Sequence, residues 1–278
     1  MMSKESILAK AKKSDDLKEV RDRYLIRALL TGNPKAGKTT SIASLPGKIL
    51  EVDFDNRAES LSGFPNVDII KINEISPDPE KPTAWNSAIE LRDEIWAAIK
   101  AGTFQYDSIA WDGFMGMTKY CMAFCLTLRT NEGKLAHLGF GGTPAEHHYN
   151  PYMLEMSKFI FNCLAMPVNT VFTSHYYLYE DKKTNKLEWW PKLFGNIRTE
   201  VGSWFNEVYR AYNVTEKTKE GGKVQRYYWQ TVSDDKLDFL GSSLNQLGKY
   251  WQSPIELNPE DKIWGFEKLL NLRFGEPK

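Results

Sequence analysis

The segment Gly32-Asn33-Pro34-Lys35-Ala36-Gly37-Lys38-Thr39, followed by Thr40, carries the densest chemical signal in the chain: it satisfies the spacing G-x-x-x-x-G-K-[ST] at every fixed position. A chain of phosphates needs a concave ring of backbone N–H groups, and glycines at both ends of such a loop leave that ring uncrowded. Lys38 then supplies a point charge for the β- and γ-phosphates, and Thr39 a hydroxyl for Mg²⁺. The N-terminus of the following helix faces the negative charge. With glycine near about 7% of residues, a chance match in a chain of this length is on the order of 1%. The segment from Gly32 to Thr40 is therefore read as a site for ATP and Mg²⁺.

Acids at strand ends are the natural partners of such a loop, because ligands of an open parallel sheet sit beyond the carboxyl ends of its strands. Asp112 ends the apolar run Ser108-Ile109-Ala110-Trp111 and is expected to hold the Mg²⁺ shell, while Asp107 precedes that run and is expected at the wrong end of it. A second acidic cluster, Glu51, Asp53, Asp55 and Glu59, follows Lys48-Ile49-Leu50. From it Asp55 or Asp53 is expected to polarise the attacking water, the other supporting Mg²⁺ or capping a turn. A solvated acidic loop is the plainer reading of the same residues.

These groups require elements that place them together. The alternation of apolar runs predicts strands over 24–31, 48–53, 67–72, 108–111 and 168–173. Helices are predicted over 38–45, from Trp85 to a stop at Gly102, over 113–129 and over 152–165. Strand and helix alternate, so the predicted fold class is α/β, a mostly parallel sheet flanked by helices. Beyond residue 175 the pattern changes to paired extended runs, 176–180 with 187–190 and 208–214 with 224–232, predicting antiparallel hairpins in the C-terminal half. The glycine-rich stretch 131–150 reads as a mobile loop, and 259–272 as a last amphipathic helix. The expected organisation is a charged arm (1–22), a core with its hairpins (23–232) and a C-terminal loop and helix (233–278).

Composition narrows the partners. With 42% hydrophobic and 13% aromatic residues the 278-residue chain can bury a substantial core, and 36 basic residues balance 36 acidic ones. Nucleic acid would thus be met by local loops and not by a long-range field. Three cysteines, Cys121, Cys125 and Cys163, form no even framework, and no stretch approaches the roughly 20 apolar residues that cross a bilayer. A soluble, cytoplasmic protein without membrane contact is expected.

Loop, acidic pair, second acidic strand and a later strand ending in Thr173-Ser174-His175 together resemble the RecA-core ATPases. More narrowly they resemble the phage nucleotide-binding type that accompanies single-strand-annealing recombination. The resemblance spans about residues 24–212 and implies ATP hydrolysis, a homo-oligomer, and action with single-stranded DNA and a recombination or replication partner protein. In that family an Asp-x-Glu pair follows the second core strand and its Glu activates water; here Asp53-Phe54-Asp55 stands there. The resemblance also implies a γ-phosphate sensor at His175, and in Lys192 or Arg198 a cation reaching a neighbour's ATP.

Other constellations carry less. Cys121 and Cys125 with His147-His148 fit no common zinc spacing, and Asn185-Lys186-Leu187-Glu188 departs from the guanine-reading N-K-x-D. Trp189-Trp190-Pro191-Lys192 and Arg226-Tyr227-Tyr228-Trp229 interleave aromatics with cations, suiting either cross-strand packing or stacked single-stranded bases. A small-molecule or nucleotide kinase, with 131–150 as its lid, and a non-hydrolysing ATP-binding module are the alternative functions.

Overall fold

The computed structural model describes residues 24–78, 80–128, 144, 146–181, 186–218, 221–234, 240–243 and 253–275. Its strands are β1 (Arg27–Gly32), β2 (Ile49–Asp53), β3 (Val67–Lys71), β4 (Ser108–Asp112), β5 (Asn169–Ser174), β6 (Tyr176–Asp181), β7 (Lys186–Pro191), β8 (Glu207–Lys217), β9 (Lys223–Gln230), β10 (Gly241–Ser242) and β11 (Ile255–Leu257). Its helices are α1 (Lys38–Ile42), α2 (Ala84–Ala101), α3 (Phe114–Leu126), α4 (Glu146–Leu164), α5 (Ile197–Glu200) and α6 (Gly265–Phe274).

One nine-stranded sheet dominates, in the order β11-β9-β8-β1-β5-β4-β2-β3, with β10 paired to β8. From β8 to β3 all pairings are parallel, whereas β9, β10 and β11 join antiparallel. The predicted mostly parallel sheet with antiparallel hairpins in the C-terminal half is thus the observed fold. The hairpin of β6 and β7 forms a separate two-stranded sheet.

Strand residues alternate between two cores, as the period of two demands. On one face Leu29, Leu50, Val52, Ile109, Trp111 and Phe172 pack with side chains of α2, α3 and α4. On the other, Ala28, Leu30, Ile49, Ala110 and Val171 pack with those of α1, β9, β11 and α6. Glu51 and Asp53 share the parity of Ile49 and so lie on the α1 face of the sheet. Trp111 supports the tip of β4 from beneath, its ring 5.2 Å from Phe159 and 6.1 Å from Phe172.

Two asparagines align the starts of the parallel strands, and hence their functional ends. Asn169 accepts from the Ile26 N–H at 3.0 Å and donates to the Asp107 carbonyl at 3.2 Å. Asn206 accepts from the Arg27 N–H at 2.8 Å and donates to the Leu25 carbonyl at 3.1 Å. Arg27 also donates to the carbonyls of Leu164, Met166 and Val168, satisfying acceptors left over at the end of α4.

Several boundaries differ from those expected. Helix α4 begins at Glu146, inside the stretch read as a loop, because the aromatic and aliphatic side chains after 148 continue a helical face; residues 129–143 and 145 lie outside the described ones. The short α5, β10 and β11 escaped prediction, and the last helix starts at Gly265 instead of 259. Residues 253–275 add β11 to the main sheet and pack Phe266 and Leu269 into its core. The expected arm 1–22 lies outside the described residues.

Candidate nucleotide site

The turn between β1 and α1 takes the shape its sequence requires. Asn213 on β8 donates to the Lys35 carbonyl at 2.9 Å, tying the outer wall of the loop to the neighbouring strand. Lys38 is buried, and its ammonium folds back to donate to the carbonyls of Gly32 at 3.0 Å and Asn33 at 2.9 Å. Burial lowers its pKa to about 8, although Asp112 and Asp55 pull it upward. His175 Nδ1 lies 3.3 Å from the same ammonium and 3.2 Å from the Gly32 carbonyl. Burial, and then the charge of Lys38, lowers the pKa of His175, which favours a neutral ring.

Asp112 stands at the end of β4 with both carboxylate oxygens engaged. Thr39 donates to one at 2.7 Å, and Thr173, from β5, donates to the other. Burial raises the Asp112 pKa, and the two threonine hydroxyls oppose that rise. The donors also fit a hard cation. A hydroxyl that gives its hydrogen to a carboxylate keeps its lone pairs free, so Thr39 and Asp112 present the oxygen set that Mg²⁺ takes.

The two acids of the β2 loop have separate surroundings. Asp53 is buried and accepts from the N–H groups of Asp55 at 2.9 Å, Arg57 at 2.8 Å and Ala58 at 3.1 Å, so its carboxylate shapes the turn after β2. Asp55 instead reaches the cavity. It rests against Gly113 and Gly116: a Cβ at 113 would stand 2.7 Å from the Asp55 carboxyl carbon, at a φ of +100° that other residues rarely adopt. Glycine at 113 therefore leaves space for an acid beside Asp112. Asp107 accepts from the Lys48 N–H at 2.9 Å, at the opposite end of the sheet, as its place before the strand implied.

A cavity of about 830 Å³ joins these groups, within the range of small-ligand sites. Residues 34–41 line it together with Asp55, Arg57, Asp112, Thr173, Ser174 and His175. Tyr227, Leu257, Pro259 and Trp264 line it as well. Gly32 and Asn33 serve through the carbonyls that hold Lys38. Arg57, two residues beyond Asp55, was not anticipated; its nearness to the acidic cluster was the available signal. Leu257, Pro259 and Trp264 had no such signal, since they come from a distant segment.

Other expectations resolve differently. Lys192 and Arg198 do not line the cavity; the Arg198 guanidinium lies over Tyr177 at 5.9 Å and Tyr179 at 5.7 Å. In the Arg226–Trp229 run, Tyr228 stacks on Tyr212 across the strands at 5.5 Å, Trp229 is buried, and Arg226 pairs with Glu216 and Glu256. Packing thus accounts for most of that run, while Tyr227 turns to the cavity. Cys121 and Cys125 are buried in the core, and no group of three or more metal-ligating side chains occurs among the described residues. The Asn185–Glu188 stretch falls partly outside the described residues, and its described part belongs to β7, away from the cavity. No described helix is long and apolar enough to cross a membrane.

No curated protein matches the chain. The model of the AAA domain family matches residues 25–238, which include β1, the phosphate loop, β4 and the hairpin of β8 and β9, and the chain therefore belongs to this family of P-loop nucleotide-binding domains.

Proposed function

We propose that the protein is a Mg²⁺-dependent ATPase of RecA-like type whose turnover is coupled to single-stranded DNA and to assembly with further copies of itself. The observation that carries the reading is the convergence of Lys38, Thr39, Asp112, Asp55 and His175 on one cavity from separate strand ends. In turnover the amides of the loop and Lys38 bind the phosphates, the ammonium exchanging its two carbonyl partners for phosphate oxygens. Thr39 and Asp112 would hold Mg²⁺, which neutralises charge developing on the phosphoryl group when it is present. Asp55 orients the attacking water and accepts its proton, and Asp53 maintains the turn that presents Asp55.

His175 supports the coupling. Its carbonyl accepts from the Lys192 N–H at 2.7 Å, closing the base of the β6–β7 hairpin, so a shift of the ring toward phosphate is transmitted to that hairpin. The hairpin displays Tyr179 and Leu178, 39% and 46% exposed, with Arg198 over the tyrosines, a surface suited to stacked bases. Lys192 is exposed beside it and is the candidate to reach a neighbouring subunit's nucleotide. Action in phage-type recombination or replication, with a partner protein, follows from the same resemblance.

The test is phosphate release with and without single-stranded DNA, measured across protein concentration. Stimulation by DNA that grows with concentration is expected, and Lys38→Ala abolishes it. A DNA-blind rate independent of concentration rejects the coupling. Transfer to a small acceptor selects a kinase, and tight ATP binding without turnover selects a binding module.

A further inference from the structure

The same cavity has two chemically different ends. Toward β4 and β5 it is bounded by Asp55, Asp112 and His175; toward β9 and β11 it is bounded by Tyr227, Leu257, Pro259 and Trp264. That lining suits a ligand with an anionic tail and a planar, largely apolar head. We infer that residues 253–275, beyond the matched AAA domain, complete the nucleotide site, with Tyr227 and Trp264 holding the nucleobase and so determining affinity for the nucleoside half. The inference rests on the nucleotide reading given above and names the residues that act on the part of the ligand the phosphate loop does not touch.

Three contacts fix that wall in place. Tyr227 packs directly on the phosphate loop, its ring carbon Cδ1 3.2 Å from where a Cβ on Gly37 would stand. Leu257 pairs with Tyr227 in register across β11 and β9, so the two lie side by side on the sheet. The segment after β11 is pinned to the end of the phosphate-binding helix: the Phe266 N–H donates to Ser44 Oγ at 3.1 Å. That approach is so close that a Cβ at Gly265 would stand 2.0 Å from the same oxygen. Trp264, immediately before this anchor, is 9% exposed and leans on Phe64 at 6.3 Å. The wall is therefore fastened at both ends of α1, by Tyr227 against Gly37 and by Phe266 on Ser44.

The experiment compares ATP with inorganic tripolyphosphate, both with Mg²⁺, by titration calorimetry. Stacking on an aromatic ring contributes about 1–3 kcal/mol per base, so Tyr227→Ala and Trp264→Ala are each expected to weaken ATP by roughly 5- to 150-fold. Tripolyphosphate affinity should stay within about twofold, which also shows that loop and fold are intact. Tyr227→Phe restores the wild-type ratio of the two affinities. A ratio unchanged by Tyr227→Ala overturns the inference. So does a wild type that binds ATP no tighter than tripolyphosphate. If Trp264→Ala also loses tripolyphosphate, the half-exposed Tyr227 decides alone. Failure of both ligands to bind the wild type removes the nucleotide reading itself, a result distinct from failure at the base.

Discussion

Thr39 donates its hydroxyl to Asp112 at 2.7 Å although the two are 73 residues apart, one opening the helix after the phosphate loop and the other closing a sheet strand. Thr173 engages the second oxygen of the same carboxylate, and its own oxygen accepts from the Gly113 N–H at 3.0 Å. Helix α1, strand β4 and strand β5 are thereby joined at one buried acid. The groups proposed to hold Mg²⁺ are thus fixed to one another by hydrogen bonds within the protein, an arrangement that limits reorganisation.

The first prediction follows from that junction. Asp112→Asn keeps the volume but removes the charge and turns one acceptor into a donor facing a threonine. Phosphate release should fall by about 10²-fold or more, and the Mg²⁺ concentration needed for half-maximal rate should rise. A Mg²⁺ titration curve that coincides with wild type would rule out the metal role.

Lys38 gives a pH dependence whose sign can be worked out. Its folded pKa is about 8 against an ordinary 10.5, because burial disfavours the charge. Phosphates favour the charged form, so above about pH 8 ATP binding takes up a proton. Affinity is then full below about pH 8 and falls by up to about tenfold per unit above it. Dissociation constants from pH 7 to 9.5, with proton uptake measured in two buffers, check this; a flat profile contradicts it.

Asp53 and Asp55 separate stability from turnover. Asp53→Ala strands three backbone N–H groups of the turn and is expected to cost about 2–4 kcal/mol of stability in urea unfolding. Asp55→Ala removes a half-exposed carboxylate that makes room for no such bonds; the unfolding midpoint should hardly move while turnover drops by roughly 10²–10⁴-fold. The reverse pattern would exchange their roles.

How much of this was legible in the sequence depends on how local the signal is. The phosphate loop reads directly, because its glycine, lysine and threonine positions are set by backbone geometry within a few residues. Asp112 is legible for a similar reason, as the first acid after a short apolar run. Asp53 and Asp55 were found together but could not be told apart. Which oxygen meets the turn amides and which meets the cavity is decided by the curl of residues 53–58 and the space above Gly113. The wall of Tyr227, Leu257 and Trp264 was hidden, since it exists only once β11 pairs with β9 and α6 docks on Ser44. A three-residue strand such as β11 carries too little periodicity to be seen.

Glu51 supplies the last prediction. It is fully buried on β2, between the strands that carry Asp112 and the exposed β3, and neither carboxylate oxygen has a hydrogen-bond partner among the described residues. Burial first, then the neighbouring Asp112 and Asp53, raises its pKa from 4.5 to about 9. The folded protein therefore holds a proton there that the unfolded chain releases above pH 4.5. The sign follows: this group favours the native state fully below about pH 4.5. The contribution is lost as pH rises, with a slope approaching about 1.4 kcal/mol per unit, until it is gone above about pH 9. Glu51→Gln keeps the shape and has no proton to lose, so its stability relative to wild type should grow steadily between pH 5.5 and 8.5. Urea unfolding of both proteins at four pH values in that range measures the difference directly, and titrations of groups that do not interact with Glu51 cancel in it. Parallel stability curves would mean that Glu51 is ionised in the native state, with a cation or water compensating its charge.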